Sequence, residues 1–280
     1  MTILELVNQG KIPPVLDIPD HVKRVVVHDG DFHADDVFCV ALLKECYKED
    51  IIVKRVPRNA NLEKYGYDTL ICDIGMEYDG WYRFDHHQFN TRKMSMKELR
   101  AAIGLLWDSY GNGTLYQQTE RLIHDIDKHD CCPDKHRSQL CVSIASFNPI
   151  WTADDKEKDR CFDMAVIMAR QFLRAMIISD THVMKAYREV SEKSNVEEGV
   201  MFLDSRAPYT TFISKYEDVC IVARKCGNTY KCKCVNGYTF KPDWTIHPPI
   251  AGVTLRNWIL EAPSKEAVLR IRQLTKKGSY

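Results

Sequence analysis

The stretch "KRVVVHDGDFHADDVFCVALLKECYKE", residues 23–49, decides the fold of this chain. It begins with a run of β-branched residues that predicts a buried strand at residues 23–29. Residues 35–49 then place apolar side chains at helical spacing behind two acids, which the helix dipole favours near a helix start. Further apolar runs predict strands at residues 50–57 and 68–75. This order of elements indicates a βαβ unit and a largely parallel sheet.

The composition of the chain changes near residue 195. Before it, apolar periodicity predicts helices at residues 95–111, 116–130 and 157–194. After it, β-rich segments with a Gly-Asn turn predict a hairpin sheet, followed by a closing helix. We therefore predict an α/β fold with a parallel-sheet domain at residues 1–195, whose sheet has helices on both faces. A smaller α+β domain is expected at residues 196–280.

The overall charge of the chain is balanced, because Lys plus Arg and Asp plus Glu both number 39. Dedicated duplex-DNA-binding proteins are usually basic, so strong non-specific DNA binding is not expected. The 11 cysteines show no disulfide-framework spacing, and most lie in apolar runs typical of buried reduced thiols. No signal peptide, transit peptide or membrane-spanning run is recognisable. The sequence predicts a soluble, intracellular protein without membrane contact, with the cytoplasm as its expected location.

Acidic and histidine side chains gather where the predicted strands end. In open α/β sheets, active sites lie beyond the carboxyl ends of the strands. Carboxylates and imidazoles without a thiolate favour Mn²⁺, Fe²⁺, Co²⁺ or Zn²⁺ over a structural zinc ion held by four cysteines. The clusters supply more ligands than one ion needs, which favours two ions and therefore phosphoryl chemistry. The candidate ligands are His28, His33, Asp35, Asp36, Asp73, Asp85, His86, His87, Asp125, Asp127 and His129.

Several motifs occur together in an order that is similar to a known family. The chain resembles the melanocyte-proliferating-gene exonucleases, a UPF0160-type family once catalogued as metal-dependent protein hydrolases, within the DHH phosphoesterase superfamily. The resemblance implies a DHH-type catalytic domain followed by a smaller substrate-binding domain. The stretches that carry it are "HDGDFHADD" (28–36), "DIGMEYDGWYRFDHHQ" (73–88), "LRAAIGLLWDSYG" (99–111), "HDIDKHD" (124–130), "SIASFNPIW" (143–151) and "DSRAPYTTF" (204–212).

The resemblance also implies a particular set of metal ligands. Two divalent ions are expected, with Mn²⁺ foremost and Mg²⁺, Co²⁺ or Zn²⁺ as alternatives. Asp73 would bridge the two ions. The ligands of one ion would be His28, His33 and Asp73, and those of the other would be Asp35, His86 and Asp127. Asp36 is an alternative case, since it could favour the helix start without touching metal.

Further roles follow from the same resemblance. A metal-bridged hydroxide would be the nucleophile, between the two ions that the catalytic Asp73 bridges. Asp85 would orient His86, and His87 would face the substrate phosphate as a clamp or proton donor. Candidate substrate contacts are Arg83, Gln88 and Arg92. The sequence leaves open whether Arg83 binds a phosphate or pairs with an acid.

Four functions remain open on the sequence alone. The foremost is a 3′–5′ exonuclease acting on RNA or short oligonucleotides. The second is a phosphohydrolase of pyrophosphate, a cyclic dinucleotide or a nucleotide, because residues 258–269 lack the family's Gly- and His-rich loop. An HD-type hydrolase and a non-catalytic metal-binding interaction protein are the others. The oligomeric state is also open, with a homodimer as one alternative.

Overall fold

The computed structural model describes residues 2–90, 93–210, 212–240, 244, 250–256 and 258–277. Arg92, one of the predicted substrate contacts, lies outside the described residues. The chain folds as two compact units, of which the first ends at Thr181 and the second begins at His182. This division falls within a long helix that ends at Lys193, and the predicted boundary at residues 195/196 follows that helix end.

The first unit contains a four-stranded sheet in which every strand pairing is parallel, in the order β2-β1-β3-β4. This confirms the predicted parallel sheet. Helix α6 continues past the end of this unit. The elements are α1 (Ile3–Asn8), β1 (Arg24–His28), α2 (Ala34–Cys46), β2 (Ile52–Val56), β3 (Thr69–Cys72), β4 (Arg83–Phe84), α3 (Ala102–Tyr110), α4 (Gln117–Cys131), α5 (Gln139–Ala145) and α6 (Asp155–Lys193).

The core of this unit forms around β1 and α2. The three valines of β1 are fully buried, as expected for a β-branched strand inside a parallel sheet. Helix α2 packs on β1, while α3 packs on β3 and β4. A second apolar cluster joins the sheet to the connection before β3, through Val26, Val56, Leu62, Ile71 and Ile74, with Ala60 and Tyr65 against it. Coil residues therefore cover this part of the sheet.

Helix α3 is shorter than its apolar pattern predicts. It begins at Ala102, whereas the sequence predicted a helix from residue 95. Tertiary contacts account for the late start, because the backbone N–H groups of Ala101 and Ala102 donate to the carboxylates of Asp127 and Asp35. These two bonds bring the amino end of α3 against the polar side chains at the end of the sheet.

The second unit is built on a six-stranded mixed sheet with strand order β10-β11-β8-β7-β6-β5. Only β6 and β7 pair in parallel within it. The hairpin of β7 and β8 turns at Gly227, whose φ of +61° suits glycine, as the Gly-Asn signal predicted. The elements are β5 (Ser194–Glu197), β6 (Val200–Leu203), β7 (Ile221–Cys226), β8 (Thr229–Cys234), β9 (Tyr238–Thr239), β10 (Thr254–Arg256), β11 (Ile259–Ala262), α7 (Lys265–Leu274) and β12 (Lys276–Lys277).

None of the helices in the described ranges combines sufficient length with sufficient apolar character to span a membrane.

Candidate metal centre

Three strands of the first sheet deliver polar side chains to one edge. Strand β1 ends in His28, Asp73 follows β3, and Asp85 follows β4. Because these strands are parallel, their carboxyl ends meet, and His28 Nε2 lies 3.1 Å from Asp73 Oδ2. Asp73 has a φ of +58°, a left-handed conformation that aspartate tolerates better than most residues. Its backbone N–H donates to Phe84 O at 3.0 Å, which ties it to the neighbouring strand.

The start of α2 places two further carboxylates at this edge. Asp36 Oδ1 accepts from the backbone N–H of His33 and Val37 at 3.1 and 2.6 Å, so Asp36 stabilises the helix start. Its other oxygen, Oδ2, lies 3.4 Å from His28 Nε2. Asp35 is fully buried and accepts from Ala102 N through Oδ2. The helix start therefore buries two adjacent carboxylates beside His28.

The ligand atoms of these side chains form four overlapping groups among the described residues. Within each group, the possible donor atoms all lie within 4.8 Å of one another. His28, His33, Asp35, Asp73 and His86, all predicted as ligands, belong to at least one group. The groups are His28/His33/Asp73, His33/Asp35/Asp130, Asp73/Asp85/His86/His87 and His86/Asp130/Cys131.

Helix α4 contributes a different aspartate from the predicted one. Asp130 Oδ2 lies 2.9 Å from His86 Nε2, whereas the predicted ligand Asp127 belongs to none of the four groups. Asp127 instead accepts from Ala101 N at 2.9 Å and packs against Gly104, where an added Cβ would come within 2.2 Å of Asp127 Oδ1. Since the two aspartates are one helical turn apart, their spacing in the sequence does not distinguish them.

Asp85 contacts a different histidine from the predicted one. It accepts from Met76 N at 2.6 Å, His87 N at 3.0 Å and His87 Nδ1 at 2.6 Å. Asp85 therefore orients His87 and not His86. The two histidine rings stack with centroids 4.4 Å apart, with His86 buried and His87 exposed.

Burial and mutual repulsion set the protonation of the acids in the metal-free protein. Burial, together with the charges of Asp130 and Asp73, raises the pKa of Asp35 well above its ordinary value. Burial and Asp73 raise the pKa of Asp36 to about 8. Burial opposes ionisation of Asp85 as well, but hydrogen bonds from His87 and Met76 lower its pKa to about 2. The hydrogen bonds to Asp85 thus outweigh the effect of burial on its pKa, whereas those to Asp35 and Asp36 do not.

The buried histidines respond to the same charges. Burial disfavours protonation of His28, yet the hydrogen bond to Asp73 and the charge of Asp36 raise its pKa. Burial likewise disfavours protonation of His86, and the hydrogen bond to Asp130 raises its pKa. The hydrogen bonds and charges of the nearby carboxylates therefore outweigh the effect of burial on the pKa of both rings.

Four buried polar atoms at this edge have no hydrogen-bond partner within the part of the chain that the structure describes: Asp35 Oδ1, Asp36 Oδ2, Asp73 Oδ1 and His86 Nδ1. Unpaired buried polar groups are costly and rare, so their concentration in one place calls for an external partner. Carboxylate oxygens and imidazole nitrogens are suitable ligands for Mn²⁺, Zn²⁺ and related divalent ions. The residues present therefore fit a divalent metal.

Two of the predicted substrate contacts, Arg83 and Gln88, lie within the described residues, and their surroundings differ. Arg83 pairs with Glu63 and Glu77 at 3.3 and 3.2 Å, so its charge is balanced within the chain. Gln88 is exposed and donates through Nε2 to Asp85 O at 2.9 Å. Arg58 was not among the predicted site residues, although its Nη2 lies 3.3 Å from His28 Nε2. It is exposed, and no carboxylate in the described ranges pairs with it.

Comparison with known proteins supports the family resemblance over the first unit. A family profile described as MYG1_exonuc, an uncharacterised protein family (UPF0160), matches residues 24–132. A MYG1 protein of Saccharomyces cerevisiae is 28% identical over 183 residues, covering 51% of this chain and 53% of the relative. The MYG1 exonuclease of Homo sapiens is 26% identical over 191 residues, covering 55% and 50%. A Chlamydia trachomatis MYG1 protein is 26% identical over 186 residues, covering 62% of each chain.

The matched region spans about half the length of the first curated relatives. The DHH superfamily assignment is not tested by these matches and stays a prediction. A pGpG-specific phosphodiesterase from Vibrio cholerae aligns over 90% of this chain and 97% of its own. That alignment has 13% identity and a TM-score of 0.30, which is too low to carry an argument.

Proposed function

We propose that this chain is a metal-dependent phosphodiesterase that acts as a 3′–5′ exonuclease on RNA or short oligonucleotides. The observation that carries the proposal is the edge of the first sheet, where buried carboxylate and imidazole atoms converge without partners. The human relative is named an exonuclease, which supports nucleic acid as the substrate class. A neutral chain suits end-trimming, which needs only a few phosphate contacts.

The geometry suggests which residues would hold two divalent ions, for which we propose Mn²⁺. His28, His33 and Asp73 form one group and would hold one ion. For the other ion, Asp130 lies in one group with His33 and Asp35 and in another with His86, and Asp73 would be shared between the two ions. This assignment replaces Asp127 by Asp130. Two such ions would activate a water molecule and neutralise negative charge on the reacting phosphate.

His87 has the position of a proton donor to the leaving oxygen. Asp85 holds His87 through Nδ1 at 2.6 Å, which fixes the ring and leaves Nε2 for the substrate. The ring is exposed although it stacks on the buried His86. His87 can therefore reach a phosphate ester bound at the edge of the sheet while Asp85 maintains its orientation.

Arg58 is the cation best placed to bind the substrate phosphate. Its guanidinium reaches His28 Nε2 and has no acidic partner in the described part of the chain. Arg83, by contrast, is neutralised by Glu63 and Glu77. A guanidinium binds phosphate oxygens with two parallel hydrogen bonds, so Arg58 can clamp the group that the metal ions contact.

A small-molecule phosphohydrolase is the second candidate. Residues 258–269 lack a Gly- and His-rich loop, and they form β11, the Ser264 cap and the start of α7. If the second unit binds substrate without such a loop, its substrate could be pyrophosphate, a cyclic dinucleotide or a nucleotide. The metal centre and the roles of His87 and Arg58 would be the same for these substrates.

The test is digestion of single-stranded RNA labelled at its 5′ end, in Mn²⁺, beside pyrophosphate and cyclic dinucleotides. A ladder that shortens from the 3′ end supports the exonuclease, whereas release of phosphate from small substrates alone favours the second candidate. Asp130→Asn should remove the activity, while the matched Asp127→Asn should retain most of it. Metal binding without cleavage of any of these substrates would contradict both functions and favour a non-catalytic role.

A further inference from the structure

A thiol lies beside the proposed metal centre. Cys131 is the last residue of α4 and directly follows Asp130. Its sulfur lies within 4.8 Å of the ligand atoms of His86 and Asp130. The sequence suggested a site of oxygen and nitrogen ligands only, because the tertiary position of this cysteine cannot be read from its neighbours.

The surroundings of Cys131 are those of a ligand and not of a packing residue. It is only partly buried, unlike the fully buried Cys39 and Cys72 of the core. Its neighbour His86 is more than nine-tenths buried and turns Nε2 toward Asp130, whose Oδ2 lies 2.9 Å away. This distance suits two ligands of one ion. A cation bound between these groups would be within reach of the sulfur.

We propose that Cys131 donates a thiolate to the metal position formed by His86 and Asp130, so that Zn²⁺ can replace the Mn²⁺ proposed above at this position and binds there more tightly. The inference rests on the metal centre of the proposed function. A set of one imidazole, one carboxylate and one thiolate is typical of Zn²⁺, whereas Mn²⁺ prefers oxygen ligands. The neighbouring position, with His28, His33 and Asp73, is not changed by this sulfur.

Binding through sulfur requires the thiol to lose its proton. Burial and the charges of Asp130 and Asp127 raise the pKa of Cys131, so the metal-free protein carries the neutral thiol. As the metal–sulfur bond forms, the S–H bond breaks and its proton passes to solvent. The cation also compensates the two carboxylates, which otherwise oppose the thiolate.

The experiment is a Co²⁺ titration of the full chain, followed by absorption spectroscopy. Cobalt reports its ligands directly, because a thiolate ligand adds a charge-transfer band in the near ultraviolet. We expect the band in the wild type and in Cys132→Ser, and its loss in Cys131→Ser while Co²⁺ stays bound. Cys132 is the matched control, since it is the adjacent cysteine and belongs to no ligand group among the described residues.

Competition between metals gives a second readout. Cys131→Ser should weaken Zn²⁺ binding by at least ~10-fold, the lower end of what supporting residues at metal sites contribute, and should leave Mn²⁺ binding nearly unchanged. Circular dichroism and Cys131→Ala would show whether a lost band reflects misfolding, because a folded Cys131→Ala variant should lose the band too.

The outcomes separate this inference from the proposed function. If the wild type binds Co²⁺ without a charge-transfer band, or if the band persists in Cys131→Ser, the thiolate assignment is overturned and the metal centre stands. If the wild type binds none of Co²⁺, Zn²⁺ and Mn²⁺, the metal centre itself is wrong and the inference fails with it.

Discussion

Two regions of the first unit bury carboxylates, and they treat the negative charge in opposite ways. Glu45 of α2 is fully buried and accepts from Arg174 Nε at 2.7 Å, Arg170 Nε at 3.1 Å and Ile3 N at 3.2 Å. Burial opposes its ionisation, but these partners lower its pKa. Asp35 and Asp36, at the other end of the same helix, are equally buried, and their pKa values are raised.

The difference between the two regions lies in where the compensating charge comes from. Arg170 and Arg174 are four residues apart on α6 and present both guanidinium groups to Glu45. At the edge of the sheet, each of Asp35 and Asp36 has an oxygen without a hydrogen-bond partner among the described residues. The charge of Glu45 is thus balanced within the chain, while the acids of the sheet edge leave oxygen atoms that could bind a cation from solution.

The largest effect is expected from removing both cations beside Glu45. The double variant Arg170→Met, Arg174→Met leaves a buried carboxylate with one backbone donor, so unfolding free energy should fall by about 3–5 kcal/mol. Urea denaturation would measure it. Arg160→Met, which breaks the exposed pair of Arg160 with Glu157, is the control and should cost far less, because an exposed ion pair is screened by solvent. Equal losses of unfolding free energy in the two variants would show that Arg170 and Arg174 do not balance the buried charge of Glu45.

Asp73→Asn should have the largest effect at the sheet edge. The change removes the shared carboxylate, so we expect RNA cleavage to fall by ~100-fold or more, beyond the range for residues that only support metal ligands. Steady-state rates in saturating Mn²⁺ would measure it. The fold should be retained, in contrast to the loss of stability beside Glu45. Full activity in this variant would show that Asp73 does not hold metal.

Mn²⁺ should stabilise the protein through the sheet edge. A ligand that binds only the folded state at ten times its dissociation constant adds about 1.4 kcal/mol to the unfolding free energy. Thermal denaturation with and without Mn²⁺ should show this in the wild type and in the double arginine variant. The shift should vanish in Asp73→Asn, and a shift retained there would place the stabilising ion elsewhere.

The pH dependence of the unfolding free energy should differ between the wild type and the neutral variant Glu45→Gln. Its folded pKa lies below the ordinary value of 4.5, so its stabilising contribution is present above pH 4.5 and is lost as the pH falls through the lowered pKa. Relative to Glu45→Gln, the advantage of the wild type should decrease over this window by no more than about 1.4 kcal/mol per pH unit. The unfolding free energies of the wild type and Glu45→Gln, measured across this window, would test the prediction. A difference between them that does not change with pH would show that the pKa of Glu45 is not lowered.

The smallest effect is expected for Asp36→Asn in metal-free protein. The amide oxygen can still accept from His33 N and Val37 N, while the repulsion from Asp73 is removed. Stability should stay equal or rise by up to about 1 kcal/mol, within the usual range for a relieved unfavourable contact. Chemical denaturation in the presence of a chelator would test it, and a clear loss would mean that the charge of Asp36 is compensated after all.

Much of the sheet edge could be predicted because it depends on local pattern and parallel topology. His28, Asp73 and Asp85 end or follow apolar strands, and parallel strands bring such residues together. The partners of individual side chains could not be predicted in the same way. Asp85 binds His87 although it precedes His86, because the loop after β4 turns the exposed ring back toward it.

The sequence by itself determined the βαβ order, the parallel sheet and the gathering of acids and histidines at its edge, since apolar periodicity and strand ends are local features. Only the tertiary structure decided which aspartate of α4 meets His86, because Asp127 and Asp130 share a helix face and the amino end of α3 engages one of them. It also decided that Arg83 is neutralised, that Arg58 is not, and that Cys131 lies beside His86. Distances between residues far apart in the chain set these pairings, and no local pattern encodes such distances.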